Sequence, residues 1–230
     1  MKHELRNLFS TPLWIFDIKS EDASLHDMIY YDGINFSNYV ESERSRLDSL
    51  TFNTMHYNFL DFQGYGIEKL KNHVMNVINE IADDRGWTNY TIDTKSMHKV
   101  IKPNGNDTPH HHSDLDMIAV YYVKCPPKCG DILFMDTRGS VNLAWEDKFV
   151  SEDVSNYSYS KGGRVSHRIT PEEGMLVVFP NYLFHMVETN FSNENRISIV
   201  VDIRLNLGDS LNWYANNQWF IWECFNYINL

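Results

Sequence analysis

EEGMLVVFPNYLFHMVETNFSNENRISIVVDI, residues 172–203, sets two apolar runs on either side of a lone histidine. Met175 to Phe179 has the length and β-branched content of a buried strand, and Pro180-Asn181 ends it with a turn. His185 opens the next short run. Eleven residues further on, Arg196 opens a second apolar strand. Side chains alternate faces along a strand, so Arg196 and Ser198 share one face while Ile197, Ile199, Val201 and Ile203 form the other. Taken singly, each polar residue has a plain explanation. A histidine after an apolar strand is usually an ordinary satisfied side chain, and Arg196 could be a surface charge, as Arg204 at the same parity is read to be.

Working outward, the chain from residue 91 on reads as short strands separated by turn residues: 91–102, 117–124, 131–135, 164–169, 175–179, 184–189 and 196–205. TPLWIFDI (11–18) adds a first strand, with Pro12 suited to its edge. Between them, Ile67, Leu70, Val74, Val77, Ile78 and Ile81 recur at helical steps and Gly86 supplies the stop. Regularly spaced strands with one amphipathic helix outside predict a mainly β fold, a sandwich or jelly roll. The expected organisation is a single domain over 1–230. Its core spans about 91–205, a strand and a supporting helix lie within 11–86, and an aromatic tail covers 211–230. Residues 20–64 read as loop with short helical pieces. The polar, tyrosine-rich stretch 136–163 reads as a cover over a site. The tail LNWYANNQWFIWECFNYINL holds three of the six tryptophans and should dock on the sheet or on a second copy, which allows a homodimer.

Composition narrows the function. A net charge of −11 disfavours a general binder of nucleic-acid backbone. With 43% hydrophobic residues the chain can bury a sizeable core. No apolar run approaches a membrane span and no signal peptide is evident, so a soluble, cytoplasmic protein is expected. Three cysteines do not make a disulfide framework. Cys125 and Cys129 in CPPKC lack a second pair for a structural zinc, so a turn is the expectation there.

The chemistry concentrates in DTPHHHSDLDMIAVYYV, residues 107–123. His112-Ser113-Asp114 is a His-x-Asp, and in extended backbone both side chains point the same way. Alone the pair is weak, and a solvated loop explains it. Joined by His185 from a distant strand, it would complete a set of two histidines and one carboxylate around a ferrous ion, with open positions left over. Arg196 would add a planar fork suited to a carboxylate, with the Ser198 hydroxyl beside it.

His-x-Asp, a distal histidine about seventy residues on, and Arg196-x-Ser198 together resemble the signature of the 2-oxoglutarate- and Fe(II)-dependent oxygenases. Within them the chain is most similar to an uncharacterised prolyl-hydroxylase-like branch common in phages and marine bacteria. LFSTPLWIFDI, VIKPNGNDTPHHH, VYYVKCPPKCGDILFMDTRG and GMLVVFPNYLFHMVETN…NRISI carry that likeness, strongest over 95–205. The resemblance implies a double-stranded β-helix (jelly-roll) core with Fe(II) at its open end. It further implies 2-oxoglutarate held by Arg196, O2 as co-reactant, and hydroxylation of a C–H bond of a peptide side chain or small molecule. One of Tyr121 and Tyr122, with Tyr122 preferred, would hydrogen-bond the cosubstrate.

The likeness is imperfect at the metal. The branch carries His-x-His here, matching His110 and His112, and a small-residue pair where this chain has Ile118-Ala119. His110 is therefore an alternative ligand to Asp114. The set His112, Asp114 and His185 is preferred because a carboxylate offsets the ferrous charge. Two rivals stand beside this reading. In a cupin-type metal protein, His110, His112, Asp116 and His185 would be ligands and 2-oxoglutarate irrelevant. In a non-catalytic interaction module the histidines would be a simple zinc clasp.

Overall fold

The computed structural model describes residues 10–43, 50–54, 57–136 and 166–207. In chain order the elements are β1 (Trp14–Asp17), α1 (Ile18–Glu21), α2 (Ala23–Glu43), β2 (Thr51–Asn53), a single 3-10 turn (Phe59–Asp61) and α3 (Tyr65–Arg85). The remaining elements are strands: β3 (Tyr90–Ile101), β4 (Asp107–His110), β5 (Met117–Lys124), β6 (Ile132–Met135), β7 (Ser166–Ile169), β8 (Met175–Pro180), β9 (Phe184–Val187) and β10 (Arg196–Leu207). Every strand pairing among the described residues is antiparallel. A six-stranded sheet runs β1-β8-β5-β10-β3-β2, and a four-stranded sheet runs β4-β9-β6-β7. The fold is mainly β, a double-stranded β-helix.

Period-two alternation divides the large sheet into two jobs. Ala119, Tyr121, Leu176, Val178, Ile199 and Val201 face the helices and form one core with Leu25, Ile29, Phe36, Leu70, Val74 and Ile78. Their neighbours Ile118, Val120, Tyr122, Val177, Phe179 and Val200 face the small sheet and pack with Ile132, Phe134 and Ile169. Each such aliphatic burial contributes about 1.5–3 kcal/mol, so the two cores together fix the register of the central strands. β10 is gripped along its length, by β3 from Arg196↔Ile101 to Leu207↔Tyr90 and by β5 from Ile197↔Lys124 to Ile203↔Met117.

α3 follows its apolar stripe, with Ile67, Leu70, Val74, Val77, Ile78 and Ile81 all buried. Gly86 ends it in the left-handed region at φ 69°, and Trp87 N–H donates to the Ala82 carbonyl. Its N-terminus has no cap from its own chain neighbour. Asp32 of α2 does that work instead, accepting from Gly66 N at 2.8 Å and Ile67 N at 3.1 Å. The helices meet closely there, since a Cβ on Gly66 would lie 2.6 Å from Ile29 N.

Three features differ from the sequence-based expectation. Residues 20–64, expected as loop with short helical pieces, contain the 21-residue helix α2. Its buried stripe of Leu25, Ile29, Phe36 and Val40 is real, but Tyr31, Ile34 and Tyr39 lie exposed between and blur the period. β4 was not expected, because DTPH is short, polar and holds a proline. β2 is likewise only three residues. The 136–163 cover, apart from Asp136, and the 211–230 tail lie outside the described residues. No helix among the described residues is long and apolar enough to cross a membrane.

Candidate metal centre

Three histidines converge between the sheets. β4 and β9 pair so that His110 stands opposite His185, with ring centroids 4.4 Å apart. His112 follows in the next loop, its ring stacked parallel to His185 at 5.4 Å. The loop is held in place from both sides. His112 N–H donates to the Asn181 carbonyl at 3.1 Å, and Asn181 Nδ2 returns a bond to the His112 carbonyl at 3.1 Å. The Pro180-Asn181 turn therefore seats the histidine loop as well as ending β8. One ligand nitrogen from each ring lies within 4.8 Å of the others, close enough for one ion to be shared by all three.

The second ring nitrogens fix which atom is offered. His110 Nδ1 is 2.7 Å from the Thr108 carbonyl, and His185 Nδ1 is 2.9 Å from the Leu183 carbonyl. A carbonyl only accepts, so both rings must carry their proton on Nδ1 and present the Nε2 lone pair. Burial pushes the His185 pKa from its ordinary 6.5 down to about 3, with a small counter-effect from the Leu183 bond, so this ring is neutral near pH 7. Three neutral imidazoles are a donor set that suits a divalent first-row metal.

A cavity of about 310 Å³ opens beside the histidines. Besides the histidines, its polar lining includes Arg196, Ser198 and Asp202 on the same face of β10, Thr108, and Lys99 of β3 pairing with Asp107. Arg196 is 1% exposed and its Nε has no hydrogen-bond partner. Its guanidinium lies over the Tyr122 ring at 5.2 Å. Among the described residues no carboxylate is paired with it. The Tyr122 hydroxyl is buried and has no well-formed hydrogen bond among the described residues; burial raises its pKa to about 12 against the opposing pull of the adjacent Arg196, so it stays a protonated donor. A buried guanidinium without a counter-ion is costly by several kcal/mol, which makes this corner a receptor for an anion. Tyr121, by contrast, faces the helices.

Asp114 is not brought to this cluster. It sits in a turn at φ 58°, exposed, and its carbonyl accepts from Arg204 Nε at 3.0 Å. The positive φ breaks the extended run that His-x-Asp geometry assumed, so the two side chains part. Arg204 is exposed as expected but anchors this turn. Asp116 is also turned away, its carboxylate accepting from Leu205 N at 2.7 Å, so the cupin ligand set is not assembled. Cys129 N–H donates to the Pro126 carbonyl at 3.0 Å, a turn, and both cysteines are free.

Sequence reasoning held His110 as a second choice and missed Asp202, Lys99 and Asp107. For Asp202 the signal was present. The alternation that sets Ser198 beside Arg196 runs on through Val200 to residue 202.

Residues 96–202 match the family model described as "Putative 2OG-Fe(II) oxygenase". That segment contains all three histidines, Arg196, Ser198 and Asp202. The matched core is a 2OG-Fe(II) oxygenase domain. No curated protein matches the chain. Among solved structures, a prolyl-4-hydroxylase from Pseudomonas putida superposes with a TM-score of 0.56 at 15% identity, covering 85% of this chain and 93% of that one. A Trichoplax adhaerens prolyl hydroxylase, solved with a hypoxia-inducible-factor peptide fragment, gives 0.55 at 13% identity, covering 84% and 83%. The epimerase SnoN, in complex with Fe3+, alpha ketoglutarate and nogalamycin RO, gives 0.56 at 14%, covering 84% and 79%. At these identities the structures speak to the fold. The family assignment makes the oxygenase an oxidoreductase that uses Fe(II) with 2-oxoglutarate and O2.

Proposed function

We propose that the oxygenase is a hydroxylase whose metal is held by His110, His112 and His185 and whose 2-oxoglutarate is bound by Arg196 with Ser198 and Tyr122. The observation that carries the cosubstrate part is the buried guanidinium of Arg196 at the cavity wall, which has no carboxylate partner among the described residues, beside a tyrosine hydroxyl that has no hydrogen-bond partner among them. A dicarboxylate supplies what both groups lack. Its far carboxylate would pair with Arg196 and accept from Tyr122 or Ser198, leaving its 2-oxo acid end toward the histidines. The low dielectric of the apolar walls strengthens that pair.

The bound metal would supply O2 activation. The chain's own residues position and exclude. The His110 and His185 imidazoles, in tautomers set by their carbonyl partners, present Nε2, β10 spaces the arginine from the histidines, and Val120, Ile132, Val187 and Val200 keep water from the cavity wall. The three-histidine set is favoured over one containing Asp114 by the exposure of that carboxylate. Hydroxylation, as against epimerisation, is supported by the prolyl hydroxylases among the similar folds, and a peptide side chain is the favoured substrate class on the same ground.

Anaerobic titration with Fe(II) and then 2-oxoglutarate tests this, read by the visible charge-transfer band of the chelate. Arg196→Ala should keep Fe(II) binding but weaken 2-oxoglutarate by about 2–5 kcal/mol, as expected when one partner of a buried charged pair is truncated. Equal 2-oxoglutarate affinity in the two proteins would remove the cosubstrate assignment.

A further inference from the structure

His112 differs from its two partners in what stands behind it. His110 and His185 each rest Nδ1 on a main-chain carbonyl, whereas His112 Nδ1 faces the Asp202 carboxylate, 2.9 Å from Oδ1. That oxygen is fully buried and has no aligned hydrogen-bond partner, so the contact is close but bent. Polar contacts around a catalytic group are often poorly aligned until the site is loaded, and the terminal torsions of both side chains are soft. No other donor to Oδ1 is present among the described residues. Lys95 stands opposite Asp202 on β3, but among the described residues the ion-pair contact of the Asp202 carboxylate is with His112, and Asp202 lines the same cavity as Arg196 and Ser198.

We infer that Asp202 is a positioning residue for the metal: it holds His112 in the Nδ1–H form, turns its Nε2 lone pair toward His110 and His185, and lends the site the negative charge that three neutral imidazoles lack. This rests on the three-histidine reading above. The physical case is an asymmetry of charge. A carboxylate behind an imidazole makes the ring more basic and orients it, and Asp202 is the carboxylate that contacts a ring nitrogen of the trio at hydrogen-bond distance. Asp107 comes within 3.9 Å of His110 Nε2 but is held by Lys99. The carboxylate expected among the direct ligands is thus present one residue further out, reached through a ring.

The test uses the full-length protein without metal and then with Co(II) and Fe(II) under anaerobic conditions. Long-range proton–nitrogen correlations of the imidazoles report each tautomer directly. In wild type, His112 should carry its proton on Nδ1. In Asp202→Ala it should become a mixture, with His110 and His185 unchanged. Asp202→Asn keeps the size but lets an amide donate to Nδ1, so it too should lose the single tautomer, which a merely space-filling role would not produce. In both variants metal affinity should fall about 10- to 100-fold, with a shifted Co(II) visible spectrum. An unchanged His112 tautomer in both variants overturns the inference, and if metal binding is nevertheless lost, Asp202 is a direct ligand instead. A wild-type protein with the expected tautomers that binds neither metal would sink the metal reading itself, while the tautomer result would still decide what Asp202 does to His112.

Discussion

At the scale of single residues, the proposed metal set rests on the contrast between His110 and Asp114. His110 stands opposite His185 across a strand pair, while Asp114 occupies a left-handed turn with its side chain in solvent. His110→Ala should therefore lower Fe(II) affinity by at least about tenfold, and Asp114→Ala should leave it within about twofold, measured by anaerobic titration. The reverse pattern would restore the two-histidine, one-carboxylate site. This part of the site was half legible. That Arg196 and Ser198 share a face could be read from alternation, because strands impose a period of two, and the structure puts both on one cavity with His112 and His185. Asp114 could not be placed, because a single positive φ in a loop redirects a side chain and leaves no mark in hydropathy.

Elements tell a similar story about helices. α3 was readable because its stripe is uninterrupted, whereas α2 was obscured by exposed aromatic residues at positions the pattern needs to be polar. What no pattern could reveal is that one helix caps the other. Asp32 accepts two otherwise unpaired N–H groups at the start of α3, and its charge sits at the positive end of that helix dipole. Asp32→Ala should lower stability by about 1–2 kcal/mol in urea unfolding, and Asp32→Asn should recover part of the loss because its amide oxygen still accepts. A silent Asp32→Ala would show that water replaces the cap.

For the whole molecule, buried histidines couple folding to pH. His98 is 3% exposed, bonded at Nδ1 to Ser37 Oγ at 3.0 Å, and lies over Gly33, where a Cβ would come within 2.8 Å of its Nε2. Burial lowers its pKa from 6.5 to about 4. Above pH 6.5 both folded and unfolded states hold this ring neutral and it adds no pH dependence. Between pH 6.5 and 4 the unfolded chain binds the extra proton, so stability falls as pH falls, by roughly 3 kcal/mol from this group. His98→Asn should flatten urea stability over that window relative to wild type. Parallel pH curves for the two proteins would show that the ring protonates freely while folded. The two-core layout itself was legible in outline, since the strand alternation already separates an isoleucine face from a polar one. The pairing order of the strands was not, because it depends on contacts between residues far apart in the chain.

β10 is clamped on both sides by neighbours that follow it for most of its length. Sliding it by one residue would carry Ile197 and Ile199 into the cavity and Arg196 into the helix-side core, so small adjustments along its axis are closed to it. The oxygenase therefore carries a fixed gauge between its arginine and its histidines. An oxo acid one methylene shorter or longer, oxaloacetate or 2-oxoadipate, would have to leave one end unmatched. On the proposed Arg196 pairing, losing that match should cost about 1–3 kcal/mol, roughly 5- to 150-fold in affinity, a discrimination by cosubstrate length that the sheet sets rather than any single contact.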